Sequence, residues 1–225
     1  MKRTLSFRLF LFVLFFFVLA FGFICYKGLL SDCKVCVFFQ TCEPDVADKI
    51  ATVDKATVLA KIHSKARELK SYVASHKMNA QVGFLVNMGQ HSGQKRFYIY
   101  DLHKNSILDS GLVAHGSGHQ LFAVTSMFSN EVGSQLSSLG KYRIGAKYKG
   151  RFGDAYKLHG LEASNSNALV RNVVLHSYDC VANFETYPLY ACNSWGCPMV
   201  NSDFMGKLSH IIDKEKIPIL LWVFE

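Results

Sequence analysis

The segment Ser194-Trp195-Gly196-Cys197-Pro198 is the part of this 225-residue chain from which both the fold and the chemistry can be inferred. Cys197 lies between a glycine, which permits a tight turn or the close approach of another backbone, and a proline, which fixes the chain just after the thiol. His176 lies 21 residues upstream, at the end of an apolar run. A histidine can take the thiol proton, and the resulting thiolate is a nucleophile. The two residues therefore predict covalent chemistry at Cys197.

The backbone around Cys197 also suits acyl transfer. The N–H groups of Gly196 and Cys197 are available to bind a developing oxyanion, and such a donor contributes about 2.7–4 kcal/mol in enzymes that use it. We expect His176 to depress the pKa of the Cys197 thiol. On the residues alone two alternatives stay open. A lone cysteine is often inert core, and His115, which also ends an apolar run, is a second candidate base.

Composition excludes several classes of protein. Half of the residues are hydrophobic and 19% are charged, so the chain is neither disordered nor of low complexity. The net charge of +8 and the pI of about 9.1 favour anionic surroundings such as anionic lipid or an acidic cell wall. The sequence contains no run of five Lys or Arg residues and no nucleic-acid motif. We therefore expect no nucleic-acid partner.

The seven cysteines are an odd number, which in an exported protein predicts disulfides plus one free thiol. The free thiol could be that of Cys197. The motif Cys33-Lys34-Val35-Cys36 and the nearby Cys42 supply three cysteines without a fourth ligand or a nearby histidine, which makes a poor zinc site. A disulfide near the membrane is a plainer account of this motif than a redox role. The sequence does not determine the pairing of Cys33, Cys36, Cys42, Cys180 and Cys192.

The N-terminal residues predict export. Residues 1–8 carry three positive charges, and residues 9–26 form an uncharged stretch of 18 residues rich in Phe, Leu and Val. The stretch is longer than the roughly 7–15-residue apolar core of a cleaved signal peptide and close to the ~20 residues of a spanning helix. Residues 1–26 are therefore a signal peptide or, the reading we favour, a transmembrane anchor that leaves the following domain outside the cytoplasm.

The rest of the chain predicts a mainly β, mixed α+β fold with peripheral helices. Residues 27–78 form a cysteine-containing juxtamembrane and helical segment, and residues 79–225 carry short β-like runs broken by Gly, Ser, Asn and Asp. Helices are predicted at 44–77 and 202–214, a helix or turn at 162–171, an irregular segment at 119–140, and strands at 82–86, 96–102, 107–114, 142–148, 155–158, 170–176 and 217–224.

Beyond these local signals, the chain resembles the murein L,D-transpeptidase catalytic domain family, which has the YkuD-type fold. His176 followed by Ser194-x-Gly196-Cys197 is similar to the signature of that family. The likeness covers residues 80–205 in the order found in the family. The other segments that carry it are Val113-Ala114-His115-Gly116, Phe128-Ser129-Asn130, Ser137-Ser138-Leu139-Gly140-x-Tyr142, Tyr148-x-Gly150-x-x-Gly153, Leu158-x-Gly160-Leu161-Glu162 and Asn165-x-Asn167-Ala168-x-x-Arg171.

The resemblance implies that residues 79–225 are a β-sandwich-like catalytic domain acting on peptidoglycan stem peptides. Cys197 would be the nucleophile, His176 its base, and the backbone carbonyl of Ser177 would orient the histidine. A thioester with a donor tetrapeptide would pass to an acceptor amine, giving a 3–3 cross-link, or to water, giving L,D-carboxypeptidase activity. No metal or organic cofactor is implied. A non-catalytic cell-wall binding module is the alternative from another class.

Some positions depart from the better-known family pattern. Trp195 stands where a second histidine is common, and Pro198-Met199 replaces an apolar-Asn pair, which leaves the acceptor and the rate open. For Arg171 the resemblance permits two partners, a substrate carboxylate or a structural glutamate such as Glu162, and we favour the structural one. The residues expected on the substrate or oxyanion side of the site are Gly196, Ser194, His115, Trp195 and Arg171.

Overall fold

The computed structural model describes residues 44–225, with side chains described from Asp54 onward. The predicted signal peptide or anchor at residues 1–26 and the cysteines that precede residue 44 lie outside the described residues. Within residues 44–225, no helix combines the length and the apolarity needed to cross a membrane. Residues Ile50–Glu225 form one compact unit, which contains the sheet and the candidate site.

The described chain folds into strands, two α-helices and a short 3-10 helix. In chain order the elements are α1 Pro44–Ser75, β1 Val82–Asn87, β2 Phe97–Asp101, β3 Ser106–Gly111, β4 Gly140–Gly150, β5 Gly153–Gly160, the 3-10 helix Ala163–Asn165, β6 Val174–Ser177, β7 Met199–Val200, α2 Ser202–Lys214 and β8 Leu220–Phe224. Both predicted helices are confirmed, and every predicted strand has an observed counterpart with shifted ends. Only β7 has no counterpart in the prediction, because two residues are too few for an alternating pattern.

These eight strands form one mixed sheet in the order β3-β2-β1-β8-β4-β5-β6-β7. β8 lies in the middle of the sheet, parallel to β1 and antiparallel to β4. β6 and β7 form the other parallel pair, in which His176 is opposite Met199. Because side chains alternate between the two faces of a strand, the register of each pair determines which residues share a face.

The two α-helices pack on opposite faces of the sheet. On one face, α1 contributes apolar side chains that are buried against alternate residues of β1, β2 and β8. A β-carbon at Gly83 would lie 2.8 Å from Cδ2 of Leu69, so the absence of a side chain in β1 permits the close approach of α1. Each fully buried aliphatic side chain stabilises the fold by about 1.5–3 kcal/mol. The buried α1 residues are Ile62, Ala66, Leu69 and Val73.

α2 packs on the other face and begins where β7 ends. The side-chain oxygen of Asn201 accepts a hydrogen bond from the Phe204 N–H at 2.8 Å, which caps the helix. Asp203 in the first turn and Lys214 in the last turn have the charges that the helix dipole favours. The side chain of Phe204 is buried in the core between α2 and the sheet. α2 therefore anchors β7 and the segment that carries Cys197.

The residues that follow β3 form hydrogen bonds with the segment that carries Cys197. The Ala114 N–H donates to the Met199 carbonyl at 2.8 Å, and the Ser194 N–H donates to the His115 carbonyl at 2.8 Å. The third predicted strand ends early, at Gly111, because the residues beyond it leave β2 for these new partners. The segment around Cys197 thus lies between β6 and the chain that follows β3.

Candidate active site

Cys197 has a free thiol that lies against the backbone leading into β6. The Val174 N–H donates to Sγ at 3.5 Å, and the Asn172 carbonyl oxygen lies 3.8 Å from Sγ. Val174 and His176 share one face of β6 because they are two residues apart. Together with the pairing of β6 and β7, this arrangement brings the segments of the predicted nucleophile and the predicted base side by side.

The ring of His176 is held in one tautomer. His176 is 8% exposed, and its Nδ1 lies 3.0 Å from the Ser177 carbonyl oxygen. A carbonyl oxygen can only accept, so Nδ1 carries the hydrogen and Nε2 keeps its lone pair. Burial lowers the pKa of His176, although the hydrogen bond to Ser177 opposes this effect. The imidazole is therefore neutral at pH 7, as a general base must be.

The prediction of a depressed thiol pKa is wrong. Burial raises the pKa of Cys197 above its usual 9.0, because the thiolate loses its water. The Val174 N–H and the positive charge of Arg171 lower the pKa of Cys197, but burial has the larger effect. The resting pair is consequently a neutral thiol and a neutral imidazole, and a thiolate forms only when the proton is transferred.

The turn before Cys197 requires glycine for two reasons. Gly196 has a φ of +109°, a conformation that side-chain-bearing residues rarely adopt, and a β-carbon there would lie 2.8 Å from the Leu136 carbonyl oxygen. Its N–H donates to Ser194 Oγ at 3.2 Å, and that hydroxyl donates to the Cys197 carbonyl at 2.6 Å. The Gly196 N–H is thus engaged within the turn. In residues 44–225 nothing accepts from the Cys197 N–H, which leaves this group as the available oxyanion donor.

Gly196→Ala is expected to lower the free energy of unfolding by about 1–3 kcal/mol through backbone strain, and to reduce activity by displacing Cys197. Chemical denaturation measures the first effect. Gly206→Ala is the matched control, because a β-carbon at this position in α2 meets no atom within 4 Å. The control should raise stability by about 0.5–1 kcal/mol. An unchanged denaturation midpoint for Gly196→Ala would show that the turn tolerates a side chain.

Arg171 supports the turn at Gly196 indirectly, through hydrogen bonds to the irregular segment that precedes β4. Its guanidinium donates to the Ser129 carbonyl at 2.7 Å, to Ser138 Oγ at 3.0 Å and, in a very short contact, to the Leu136 carbonyl. The favoured structural partner, Glu162, is not its partner. Glu162 pairs with Lys141 instead, at 2.5 Å.

His115, the second candidate base, is fully buried, at 0% exposure. Its Nδ1 accepts from Nη2 of Arg96 at 3.0 Å, and burial together with the charge of Arg96 lowers the pKa of His115 to about 4. A histidine without access to solvent does not contact substrate. Its carbonyl holds the Ser194 N–H, so His115 links Arg96 to the turn at Cys197.

Arg96 is a residue of the site that sequence reasoning missed. It is 1% exposed, and it donates to the Val113 carbonyl at 3.0 Å and to the Gln90 carbonyl at 3.0 Å as well as to His115. No carboxylate within residues 54–225 forms a salt bridge with it. An arginine at the start of an apolar strand is the only signal the sequence offers, and it also fits an exposed strand end.

Aromatic side chains surround the candidate site. Phe152, in the turn between β4 and β5, stacks on the ring of His176 with centroids 5.7 Å apart, and it meets Tyr178 edge-on at 4.9 Å. Trp195, two residues before Cys197, is 80% exposed. Cys180 and Cys192 form a disulfide in the loop between β6 and this turn, so Cys197 is the free cysteine of the described part. Residues 44–225 contain no cluster of acidic, His and Cys side chains that could hold a metal ion.

These observations define a mainly β domain of the YkuD type. The sequence profile of the L,D-transpeptidase catalytic domain (YkuD_2) matches residues 54–222. The chain therefore belongs to the L,D-transpeptidase catalytic domain family. No curated protein sequence matches it.

Solved structures that match this chain at low sequence identity include two L,D-transpeptidases. An L,D-transpeptidase from Mycobacterium smegmatis is 12% identical, with 64% of this chain and 59% of that chain covered and a TM-score of 0.39. The helical cell shape determining protein Pgp2 from Campylobacter jejuni is 14% identical, with 72% and 56% covered and a TM-score of 0.38. The L,D-transpeptidase from Xylanimonas cellulosilytica is 10% identical, with 64% and 60% covered and a TM-score of 0.36. The chain thus spans less than two thirds of the length of these proteins.

Proposed function

We propose that the protein is a cysteine-dependent L,D-transpeptidase that forms 3–3 cross-links between peptidoglycan stem peptides. The observation that carries the proposal is the hydrogen bond from His176 Nδ1 to the Ser177 carbonyl. This bond leaves Nε2 as a proton acceptor on β6, the strand whose backbone contacts the free thiol of Cys197. A module that only bound the cell wall would need neither an oriented base nor a free thiol.

In the proposed reaction, Nε2 takes the Cys197 proton as Sγ attacks the carbonyl carbon of the diamino acid, in its peptide bond to the terminal D-Ala of a donor tetrapeptide. The Cys197 N–H donates to the oxyanion that forms. The C–N bond then breaks, D-Ala leaves with the proton held by His176, and a thioester remains. An acceptor amine attacks the thioester, His176 takes the proton of that amine, and Sγ leaves and regains the proton. Water in place of the amine gives L,D-carboxypeptidase activity.

The surrounding residues have proposed supporting roles. Ser194 and Gly196 hold the turn at Cys197, whereas Arg171 and His115 brace it from the neighbouring loops. Exposed Trp195 offers an aromatic surface to the bound peptide. We further propose that residues 79–225, together with α1 packed against their sheet, act outside the cytoplasm and are held there by an anchor within residues 1–26.

Purified full-length protein, in mild detergent, tests the function with stem-tetrapeptide muropeptides and mass spectrometry. We expect cross-linked dimers together with free D-Ala. Tripeptide together with free D-Ala, and no dimer, would assign hydrolysis instead. The absence of any product would contradict both enzymatic functions and leave the non-catalytic cell-wall binding module.

A further inference from the structure

The sheet face that α1 covers continues, uncovered by a helix, to the candidate active site. Tyr156 and Leu158 of β5 are buried in the core on the opposite face, so the alternate residues Lys157 and His159 lie on the face that α1 shares. Lys141 of β4 marks where α1 ends, because its Nζ lies 5.1 Å from the ring centroid of Tyr72 in α1. Beyond Lys141, the residues of β4, β5 and β6 on this face form a floor on which Lys157 is exposed and Arg143, His159 and Val174 are half-buried.

Cationic side chains lie side by side on this floor. Arg143 of β4 is directly opposite His159 of β5, and Lys157 is directly opposite Val174 of β6. Directly opposite residues have β-carbons about 4.5–5.5 Å apart. Both Arg143 and Lys157 lower the pKa of His159, after the larger effect of burial, which agrees with their placement around it. Val174 is the residue whose N–H contacts Cys197 Sγ, so Lys157 lies one strand from the nucleophile.

Some cations of this hairpin have acidic partners, whereas among residues 54–225 Arg143 and Lys157 have none. Elsewhere on the same hairpin, Lys141 pairs with Glu162 at 2.5 Å, and Lys147 pairs with Asp154 at 2.9 Å. Within residues 54–225, no carboxylate forms a salt bridge with Arg143 or Lys157. Arg143 and Lys157 are diagonal neighbours across the strand pair, a separation of about 7–8 Å that long side chains can span, and their like charges repel each other. A bound anion would relieve this repulsion.

We propose that Arg143 and Lys157 form a subsite that binds a free carboxylate of the stem peptide while Cys197 attacks it. The inference rests on the proposed function and adds a specificity determinant to it. A guanidinium and an ammonium can together hold one carboxylate through charge-assisted hydrogen bonds. Lys157 is on the strand next to β6, whose Val174 N–H contacts Sγ, and Arg143 is one strand further away, so the subsite would position the donor peptide rather than the distant glycan.

The charge pattern favours a carboxylate of a peptide over an anionic wall polymer. A polymer is best held by a continuous basic track, which sums many weak phosphate contacts. On this face of the hairpin the basic track is short, because Lys141 is neutralised by Glu162 and the paired residues towards the turn, Tyr148 and Ala155, carry no charge. Two adjacent uncompensated cations fit one compact anionic group.

The test compares tetrapeptide muropeptides in which each free carboxylate is amidated in turn. For the carboxylate that occupies the subsite, we expect amidation to lower kcat/KM of the wild type about tenfold, the usual effect of losing a hydrogen bond to a charged group. Lys157→Gln and Arg143→Gln should each lower kcat/KM for the free acid by about the same factor. Amidation of the substrate should cause these variants little further loss of kcat/KM. Lys104→Gln, an exposed lysine in the turn between β2 and β3, is the control.

Three outcomes would overturn the subsite. An equal loss on the acid and the amide would assign Arg143 and Lys157 a merely structural role. Unchanged kinetics on muropeptides, together with lost binding to an anionic wall polymer, would assign them to that polymer. Unchanged kinetics and unchanged polymer binding would remove them from recognition altogether.

The subsite can fail separately from the proposed function. Calorimetry with Cys197→Ala measures tetrapeptide binding without turnover, so the acid–amide comparison remains possible if the wild type forms no product. A preference for the acid that Lys157→Gln abolishes would support the subsite even then. Turnover by the wild type without any acid preference would refute the subsite and leave the function intact.

Discussion

Cys197→Ala is expected to reduce product formation from muropeptides by about 10⁴-fold or more, to background, because no other group can form the thioester. His176→Ala should cause a similar loss, since the neutral thiol then has no proton acceptor. Mass spectrometry of the product mixture measures both effects. His103→Ala is a matched control, because His103 is exposed in the turn between β2 and β3. Full activity in Cys197→Ala would contradict the proposed nucleophile.

The pH dependence of the same reaction distinguishes a neutral resting pair from an ion pair. His176 must be neutral to accept a proton, and burial lowers its pKa below the usual 6.5. Activity should therefore persist as the pH falls below 6.5, and it should decline only when the pH reaches the lowered pKa of His176. Alkylation of Cys197 by iodoacetamide should be slow at pH 7 and accelerate above pH 9, because burial raises the thiol pKa. Fast alkylation at pH 6 would indicate a resting thiolate.

Arg96→Met should have the largest effect on stability, a loss of about 3–5 kcal/mol in the free energy of unfolding. Methionine fills similar space but donates no hydrogen bond, so the Val113 and Gln90 carbonyls and His115 Nδ1 lose their buried donor. Chemical denaturation measures the loss, with Arg67→Met, an exposed arginine of α1, as the control expected to stay within about 0.5 kcal/mol. A loss below about 1 kcal/mol would show that the buried guanidinium is dispensable.

The same network predicts how wild-type stability depends on pH. His115 has a pKa of about 4 in the fold and about 6.5 when unfolded, so between these values the unfolded chain binds a proton that the folded chain does not. The contribution of His115 to the free energy of unfolding is therefore fully present above pH 6.5 and is lost as the pH falls towards 4. Arg96→Met should lose less stability over this window, because the charge of Arg96 is one cause of the low pKa of His115.

Local patterns in the sequence predict most of the elements. The amphipathic residues of α2 and the short apolar runs of β1 and β2 give nearly the observed bounds. The position of β8 between β1 and β4 is not a local property, because it arises from pairing with residues more than seventy positions away. The two-residue β7 likewise exists only because its neighbours pair with it.

The properties of the candidate site likewise fall into those that residue types predict and those that depend on the three-dimensional fold. The tight turn at Gly196 follows from the residue type, whereas the thiol pKa depends on how deeply the fold buries Cys197. The partners of Arg171 lie in the irregular segment before β4, a segment without a periodic pattern to place them. Arg96 shows most clearly what the sequence cannot predict. An arginine at the end of a strand is compatible with solvent exposure, and only the fold shows that it is buried among backbone carbonyls.

The central position of β8 has a consequence for when the protein becomes active. β1 and β4 meet only through β8, so the sheet cannot be completed before residues 220–224 have been synthesised and delivered to the site of folding. Pairing across such sequence distances is slow, because a long loop must close before any contact repays its entropy. The segment bearing Cys197 depends on that completed sheet. With the proposed function and location, a partly translocated chain would carry an unassembled Cys197 segment, and acyl transfer would start only after export of residues 220–224.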